Sequence, residues 1–230
     1  MTTHTPAVPA PGGLITFAGG DGAGKSTLAA GLHHALTDAG HRAILVGKHS
    51  TDLPQDPQVS AYLDRLNELI YRRDARVARA CGDRYWLLAL AAWYTLQDHL
   101  VIRPALAAGT HVVLDNSHHK ILARYAVGNA VPARLAGQLF AHLATPDLVF
   151  FLDIGAEEAL ARKGSFTSLE AGNTGQGEED FLRYQNAVGQ QMRVQAARDG
   201  WLALDVAGMD RDQVLKAATD ALTGRLHLPL

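Results

Sequence analysis

LITFAGGDGAGKS, residues 14–26, decides the fold of this chain. Its last eight residues match the pattern G-x-x-x-x-G-K-[ST], in which glycines let the backbone turn tightly and direct successive N–H groups at phosphate oxygens. A β-rich run precedes the pattern, and a helical run, residues 24–39, follows it and ends at Gly40. This strand–loop–helix order is the context that a phosphate-binding loop requires, so the sequence predicts such a loop here.

The loop residues also predict how a nucleotide is held. The helix N-terminus adds its dipole, Lys25 is expected to bridge the β- and γ-phosphates, and the Ser26 hydroxyl is expected to ligate Mg²⁺. We therefore expect ATP and Mg²⁺ as cofactors. The residues assigned to the nucleotide are Gly19, Asp21, Gly22, Ala23, Gly24, Lys25, Ser26 and Thr27.

Beyond the loop, short apolar runs alternate with longer helical stretches. The predicted strands are residues 14–18, 42–47, 111–114, 148–152 and 201–204. The predicted helices are residues 24–39, 59–73, 83–108, 178–198 and 210–226. In the third of them we expect Asp83 as the N-cap, a kink at Pro104, and burial of the apolar segment WLLALAAWY. The alternation predicts an α/β protein of the P-loop NTPase fold, with a five-stranded parallel sheet flanked by helices on both faces.

The domain organisation follows from composition along the chain. Residues 1–13, MTTHTPAVPAPGG, contain no apolar run and are predicted to be a flexible tail. Residues 14–230 are predicted to form a single P-loop domain. Within it, residues 164–177 contain four glycines and little apolar content, which is typical of a mobile lid that closes over a nucleotide.

Overall composition excludes several classes of protein. Of the 230 residues, 47% are hydrophobic and the formal net charge is −2, which excludes general disorder. No basic stripe is visible, so neither a nucleic acid polymer nor a membrane surface is an expected partner. The single cysteine, Cys81, cannot form an internal disulfide, and residues 1–13 lack the charged and apolar regions of a signal peptide. We expect a cytoplasmic protein.

Polar side chains follow the predicted strands at their carboxyl ends, where ligands bind in parallel sheets. Asp115 is the best placed of them, because a carboxylate beside the phosphate loop can hold Mg²⁺ or orient an acceptor, although it also fits a helix N-cap. A phosphorylated acceptor needs cations near the loop. Lys48 and, if a helix starts at Asp115, the i,i+4 pair Lys120 and Arg124 meet that need, but they also fit a solvated basic face.

Three further side chains near these strand ends have less chemical significance. We expect Asp153, after the fourth strand, to be a helix N-cap. His118 and His119 have no partners at metal-ligand spacing, so a polar loop is expected there instead of a metal site.

GGDGAGKST is similar to the phosphate loop of thymidylate kinases, the nucleoside monophosphate kinases that phosphorylate dTMP. The resemblance continues in Asp83–Arg84, in RPALAAGTHVVLD at residues 103–115, and in PDLVFFLDI followed by EEALARK. It implies that Asp21 reaches the acceptor's sugar hydroxyl, that Arg84 grips the acceptor phosphate, and that Arg162 faces ATP. It also implies a homodimer, for which the long apolar helix offers one face.

The chain departs from that family on the acceptor side. Lys48-His49-Ser50-Thr51 stands where the family has Arg-Glu-Pro-Gly, and Asp115-Asn116-Ser117 stands where it has Asp-Arg-Tyr. Ala80 occupies the position of the phenylalanine that stacks on thymine. The donor half is therefore kept, while the acceptor half is rebuilt.

Three functions remain open from the sequence. The leading one is ATP- and Mg²⁺-dependent phosphoryl transfer to a nucleoside monophosphate, dTMP or a related pyrimidine nucleotide, with Lys25, Asp115, Arg84 and Arg162 as catalytic residues. The alternative is a kinase for a hydroxyl of a nucleoside or other small metabolite, with Asp52 or Asp115 near the hydroxyl. The third is a non-catalytic ATP-binding regulatory module, against which Ser26, Asp115 and the lid argue.

Overall fold

The computed structural model describes residues 11–48, 56–72, 75–167, 170–172, 177–226 and 228. Most of the predicted tail, and Asp52 of the hydroxyl-kinase alternative, lie outside these residues. Gly12 and Gly13, at the end of that tail, donate their N–H groups to the Leu106 carbonyl and to His111 Nδ1, both at 2.9 Å.

The described residues contain a five-stranded, all-parallel sheet in the order β2-β3-β1-β4-β5, as the alternation of runs predicts. Its strands are β1 (Leu14–Gly19), β2 (Ala43–Val46), β3 (His111–Leu114), β4 (Leu148–Asp153) and β5 (Leu202–Asp205). The central strand β1 is buried along its whole length. Strands buried on both faces require continuous apolar runs, which is why the pattern was readable in the sequence.

Helices cover both faces of this sheet. Those present in the described ranges are α1 (Lys25–Asp38), α2 (Pro57–Tyr71), α3 (Ala75–Gln97), α4 (Arg103–Ala107), α5 (His119–Gly128), α6 (Ala133–Phe140), α7 (Ala156–Lys163), α8 (Glu178–Asp199) and α9 (Arg211–Leu226). Successive side chains of β1 divide between the two faces, because strand residues alternate in direction. Ile15 and Phe17 pack with α1 and α9, whereas Ala18 packs with α5 and α8.

The predicted helix over residues 83–108 starts where expected, directly after a break at Gly82, but it is irregular near Pro104. The helical region begins earlier, at Ala75, and breaks at Gly82, whose φ of 75° and ψ of 161° are not helical. A π-helical turn, Asp98–Ile102, then separates α3 from α4. Pro104 explains the second irregularity, since it has no N–H to donate to the carbonyl four residues earlier.

The segment WLLALAAWY is buried on one side only. Trp93 is 0% exposed and Leu87 is 1% exposed, but Leu88 on the same helix is 52% exposed. Tyr85, just before the segment, is 48% exposed. The prediction of burial on nearly all faces is therefore wrong, because this helix lies over the edge of the domain and keeps an apolar face uncovered.

Two predicted helix caps are also wrong. Asp115 does not start a helix, because α5 begins four residues later at His119. Asp153 is not the N-cap of α7, a position held by Gly155. Asp153 instead accepts two hydrogen bonds, at 2.8 and 2.7 Å, from Arg193 of α8.

The two histidines before Lys120 do not lie in a polar loop. His118 stacks on Phe140 with 5.1 Å between ring centroids, and His119 packs against Trp201 at 4.5 Å. Burial lowers the pKa of His118 to about 4 and that of His119 to about 3, so both rings are neutral at pH 7. In the described part of the chain no group of three potential metal-ligating side chains exists.

Candidate active site

The phosphate loop lies between β1 and α1 at the carboxyl end of the central strand. Gly22, at φ 89°, passes so close to α7 that a Cβ there would clash with the Ala159 carbonyl oxygen. Gly19, at φ 150°, packs against β4, where a Cβ would lie 2.8 Å from the Leu152 carbonyl oxygen. Glycine is required at both positions because the loop is pressed against neighbouring backbone.

Lys25 and Ser26 open helix α1 at the loop. Lys25 Nζ donates to the carbonyls of Gly19 and Gly20, at 3.1 and 2.6 Å, so it folds over its own loop in this structure. Burial lowers the pKa of Lys25, while Asp21 and Asp115 oppose that shift. Ser26 and Thr27 are exposed at the first turn of the helix. N–H groups at a helix start that carries no side-chain cap are available to an anion.

Asp115 follows β3, the strand beside β1. Its N–H donates to the Val46 carbonyl at 2.9 Å, which fixes the backbone at the end of the strand. Its Oδ1 is buried and has no hydrogen-bond partner among the residues that the structure describes. A buried carboxylate oxygen without a donor is costly unless a ligand or cation satisfies it. With the Ser26 hydroxyl, this oxygen gives the hard donor set that Mg²⁺ prefers.

A cleft of about 350 Å³ opens on the α1 side of the loop. It is lined by residues 22–24 of the loop, by Arg162 of α7, and by Arg211 and Leu215 of α9. Arg162 donates to the carbonyl of Val206 at 2.7 Å and to Glu158 at 2.7 Å, which holds its guanidinium at the edge of the cleft. The cleft has the size and mixed lining of a small-molecule site.

On the opposite side of the loop, Asp21 is surrounded by cations. Its carboxylate forms an ion pair with Lys120 and lies 3.6 Å from Arg124 Nη2. Burial alone would raise the pKa of Asp21, but Lys120, Arg124 and Lys25 together hold it well below its usual range. Lys120 and Arg124 do lie one turn apart on α5, as the sequence predicts, although the helix starts later than expected.

A neutral polar cluster lies at the ends of β2 and β3. Asn116 Nδ2 donates to the hydroxyl of Tyr94 at 2.7 Å and lies 3.3 Å from that of Tyr71. Lys48 Nζ lies 5.6 Å from the centroid of the Tyr71 ring. The backbone carbonyl of Lys48 accepts a hydrogen bond of 2.5 Å from the side-chain amide of Asn67. Lys48 therefore lies beside this cluster, with no ion pair in the described part of the chain.

Arg84 lies at the border of this region. It follows the helix break at Gly82 and is exposed, with no ion pair among the described residues. The neighbouring Asp83 carbonyl accepts a hydrogen bond of 2.9 Å from Tyr125 of α5. The structure therefore brings Asp21, Lys25, Lys120 and Arg124 into one cluster, while Lys48 and Arg84 remain at its edges.

Sequence reasoning missed four side chains of this region. Tyr71 and Tyr94 belong to apolar helix faces and carry no signal that separates them from core residues. Gln185 of α8 lies 3.5 Å from Asp21 and donates to the Glu170 carbonyl at 2.8 Å, and Tyr184 packs 6.0 Å from the Arg124 guanidinium. These contacts join elements far apart in the chain, so no local sequence pattern predicts them.

A phosphate loop at the carboxyl edge of an all-parallel sheet, with a carboxylate directly after the adjacent strand, defines the class: a P-loop nucleotide-binding protein. The family model for thymidylate kinase matches residues 17–207. The chain belongs to the thymidylate kinase family.

Individual relatives agree with that assignment. A thymidylate kinase of Pelodictyon phaeoclathratiforme is 33% identical over 159 residues, which cover 68% of this chain and 68% of the relative. One of Caulobacter vibrioides is 32% identical over 158 residues, covering 66% and 69% of the two chains. A solved structure of thymidylate kinase from Candida albicans has the same fold, with a TM-score of 0.69 at 20% identity and coverage of 93% and 92%.

Proposed function

We propose that the protein transfers the γ-phosphoryl group of ATP to the phosphate of a nucleoside monophosphate, with dTMP as the first acceptor to test. The observation that carries the proposal is that a complete phosphate loop and the Asp115 carboxylate lie at the same sheet edge. Asp115 Oδ1 is buried there and has no hydrogen-bond partner among the described residues. In this reaction an acceptor phosphate oxygen forms a bond to the γ-phosphorus. The bond from that phosphorus to the bridging oxygen of ADP breaks, and ADP leaves with the electron pair.

The residues divide between donor and acceptor. The loop N–H groups and Lys25 hold the ATP phosphates, and Arg162 contacts ATP in the 350 Å³ cleft. Ser26 and Asp115 would hold Mg²⁺, whose chemistry is to neutralise charge on the phosphoryl oxygens. Because a phosphate acceptor is already ionised, no general base is needed, and none is assigned.

On the acceptor side, Lys48, Arg84 and Asp115 would position the nucleotide. Lys48 and the Asn116 cluster lie at the ends of β2 and β3, and Arg84 lies at the exposed start of the second half of α3. Closure of residues 164–177 would exclude water. The described parts of that segment contact α8 through Phe166, whose ring lies 4.7 Å from that of Phe181.

One observation favours a hydroxyl acceptor as a second candidate. Asn116 is neutral and bonds two tyrosine hydroxyls, whereas a phosphate site at this strand end calls for a cation. A nucleoside or other hydroxyl compound would fit such a neutral cluster, with Asp115 near the hydroxyl.

The decisive experiment measures ADP formation from ATP and Mg²⁺ with a panel of monophosphates, with nucleosides, and without an acceptor. A Lys25→Ala variant controls for contaminating kinases. Turnover with dTMP supports the proposal. Turnover with thymidine and with no monophosphate overturns it in favour of the hydroxyl acceptor. ATP binding without any turnover identifies a non-catalytic module.

A further inference from the structure

The cluster around Asp21 contains one positive charge more than its two carboxylates, Asp21 and Asp115, balance. Lys120, Arg124 and Lys25 all act electrostatically on Asp21. Asp115 acts on Lys25, while the nearby Lys163 is already paired with Glu170 and adds no net charge. Because like charges repel at close range, an excess of this kind is stabilised by a bound anion.

The α5 cations are built into the site rather than spread over a surface. The Lys120 side chain is 17% exposed and that of Arg124 is 22% exposed. Tyr184 of α8 packs against the Arg124 guanidinium, and Ala123, between the two cations, is fully buried against the sheet. Both side chains therefore project from a fixed helix turn toward the phosphate loop, which is where an acceptor phosphate must approach the donor.

The expected position for acceptor-phosphate cations, at the ends of β2 and β3, is comparatively poor in charge. Asn116 there is neutral, and Lys48 is an exposed side chain beside the Tyr71 ring. Fixed cations close to the loop occur instead on α5. The positive charge that is scarce at the ends of β2 and β3 is therefore present on α5.

We propose that Lys120 and Arg124 bind the phosphate of the acceptor, and that Asp21 serves as their internal counter-ion until the acceptor arrives. This inference rests on the proposed function, a kinase with a phosphorylated acceptor. It assigns Asp21 a role opposite to the one that the family resemblance implies. There Asp21 would attract the acceptor through a sugar hydroxyl, whereas here it competes with the acceptor phosphate for two cations.

The test measures binding of dTMP, thymidine and inorganic phosphate to enzyme saturated with Mg²⁺ and the β,γ-imido analogue of ATP. The analogue fills the donor site, so that the phosphate probe reports only on the remaining anion site. All measurements are made at pH 6.5, below the pKa of about 7 of Lys120, so that most of the protein carries the charged form. Lys120→Met and Arg124→Met are compared with Lys120→Arg, which keeps the charge, and with Lys216→Met, which removes an exposed ion pair to Asp220 on α9.

We expect Lys120→Met and Arg124→Met each to weaken binding of dTMP and of phosphate about 10- to 100-fold, the usual loss for a charge-assisted hydrogen bond. Binding of thymidine stays unchanged, Lys120→Arg binds dTMP more tightly than Lys120→Met does, and Lys216→Met retains wild-type affinity for dTMP. Equal losses for thymidine and dTMP, or no loss for phosphate, would overturn the assignment.

Asp21 is tested in the Lys120→Arg background, where the charge at position 120 is fixed. Adding Asp21→Asn there tightens dTMP binding about three- to tenfold, because a competing ion pair has been removed. Weaker dTMP binding would refute the counter-ion role and restore the sugar-hydroxyl role. Turnover of thymidine and of no monophosphate by the wild-type enzyme refutes the proposed function alone, since the phosphate arm does not depend on which acceptor is used.

Discussion

At the scale of single residues, the site depends on a few buried charges with unusual surroundings. Asp115 has a buried oxygen that no described residue hydrogen-bonds, and Asp21 and Lys120 form an ion pair beside the phosphate loop. Each of these groups is costly to bury alone, and each is stabilised only by a partner or a ligand of opposite charge. Their energetics therefore predict their responses to substitution and to pH.

Asp115→Asn tests the metal-ligand role. The substitution preserves shape but removes the charge, so we expect kcat to fall about 100- to 1000-fold, with a higher Mg²⁺ concentration needed for half-maximal rate. Steady-state kinetics over a Mg²⁺ titration measures both quantities. Asp220→Asn, at an exposed position, serves as the control. An unchanged Mg²⁺ dependence would contradict the role.

The pH dependence of acceptor binding tests the state of Lys120. Burial and repulsion from Arg124 lower the pKa of Lys120 to about 7, although Asp21 opposes the shift, and Lys25 adds to the repulsion. A bound phosphate favours the charged form, so binding takes up a proton above that pKa and weakens as pH rises. We expect the KM for the acceptor to increase about tenfold between pH 7 and 8.5.

The Lys120→Arg variant separates this titration from others in the site. Arginine stays charged over the whole range, so the acceptor KM of this variant is expected to be nearly constant with pH. A rise in KM of the same size in both proteins would assign the titration to a different group.

At the scale of secondary-structure elements, the loop is shaped by its contact with α7. Gly22 has φ 89° and no room for a Cβ beside the Ala159 carbonyl, so α7 and the loop are fixed against each other. The same helix carries Arg162 to the nucleotide cleft. Displacement of α7 therefore affects the donor site as well as stability.

Gly22→Ala is expected to lower the free energy of unfolding by about 2 to 4 kcal/mol, since it adds a steric clash to the cost of a left-handed backbone. Gly40→Ala is the matched control, because Gly40 has φ 84° and nothing within 4 Å of an added Cβ. Gly40→Ala should lower the free energy of unfolding by about 1 kcal/mol. Urea unfolding of both variants gives the comparison, and equal losses would show that the contact with α7 contributes nothing.

At the scale of the whole molecule, an apolar face on neighbouring helices remains uncovered. Tyr62 and Leu69 on α2 are 61% and 64% exposed, and Tyr85 and Leu88 on α3 are 48% and 52% exposed. Large apolar side chains in such numbers on adjacent helices are typical of an interface. None of the helices in the described ranges is long and apolar enough to cross a membrane.

We expect this face to form the homodimer that the family resemblance implies. Leu88→Glu places a charge in the interface, so it is expected to convert the dimer to a monomer in sedimentation velocity experiments. Val194→Glu, on α8 at a position 54% exposed, serves as the control and should remain dimeric. A wild-type protein that sediments as a monomer at micromolar concentration would disprove the interface.

The sequence by itself determined the fold and the position of the phosphate loop. Strands buried on both faces must be continuously apolar, and a phosphate loop must have glycines and a lysine at fixed spacing. Both features can therefore be recognised in a short stretch of sequence. The helical segment before Gly82 and the late start of α5 were not predicted, because tertiary packing overrides local helix signals. Only the tertiary structure decided the surroundings of Asp21 and Asn116. The contacts of Asp21 with α5 and α8, and of Asn116 with two tyrosines, join residues distant in sequence. Charge and hydrogen-bond complementarity in space, which no local pattern encodes, selects those partners.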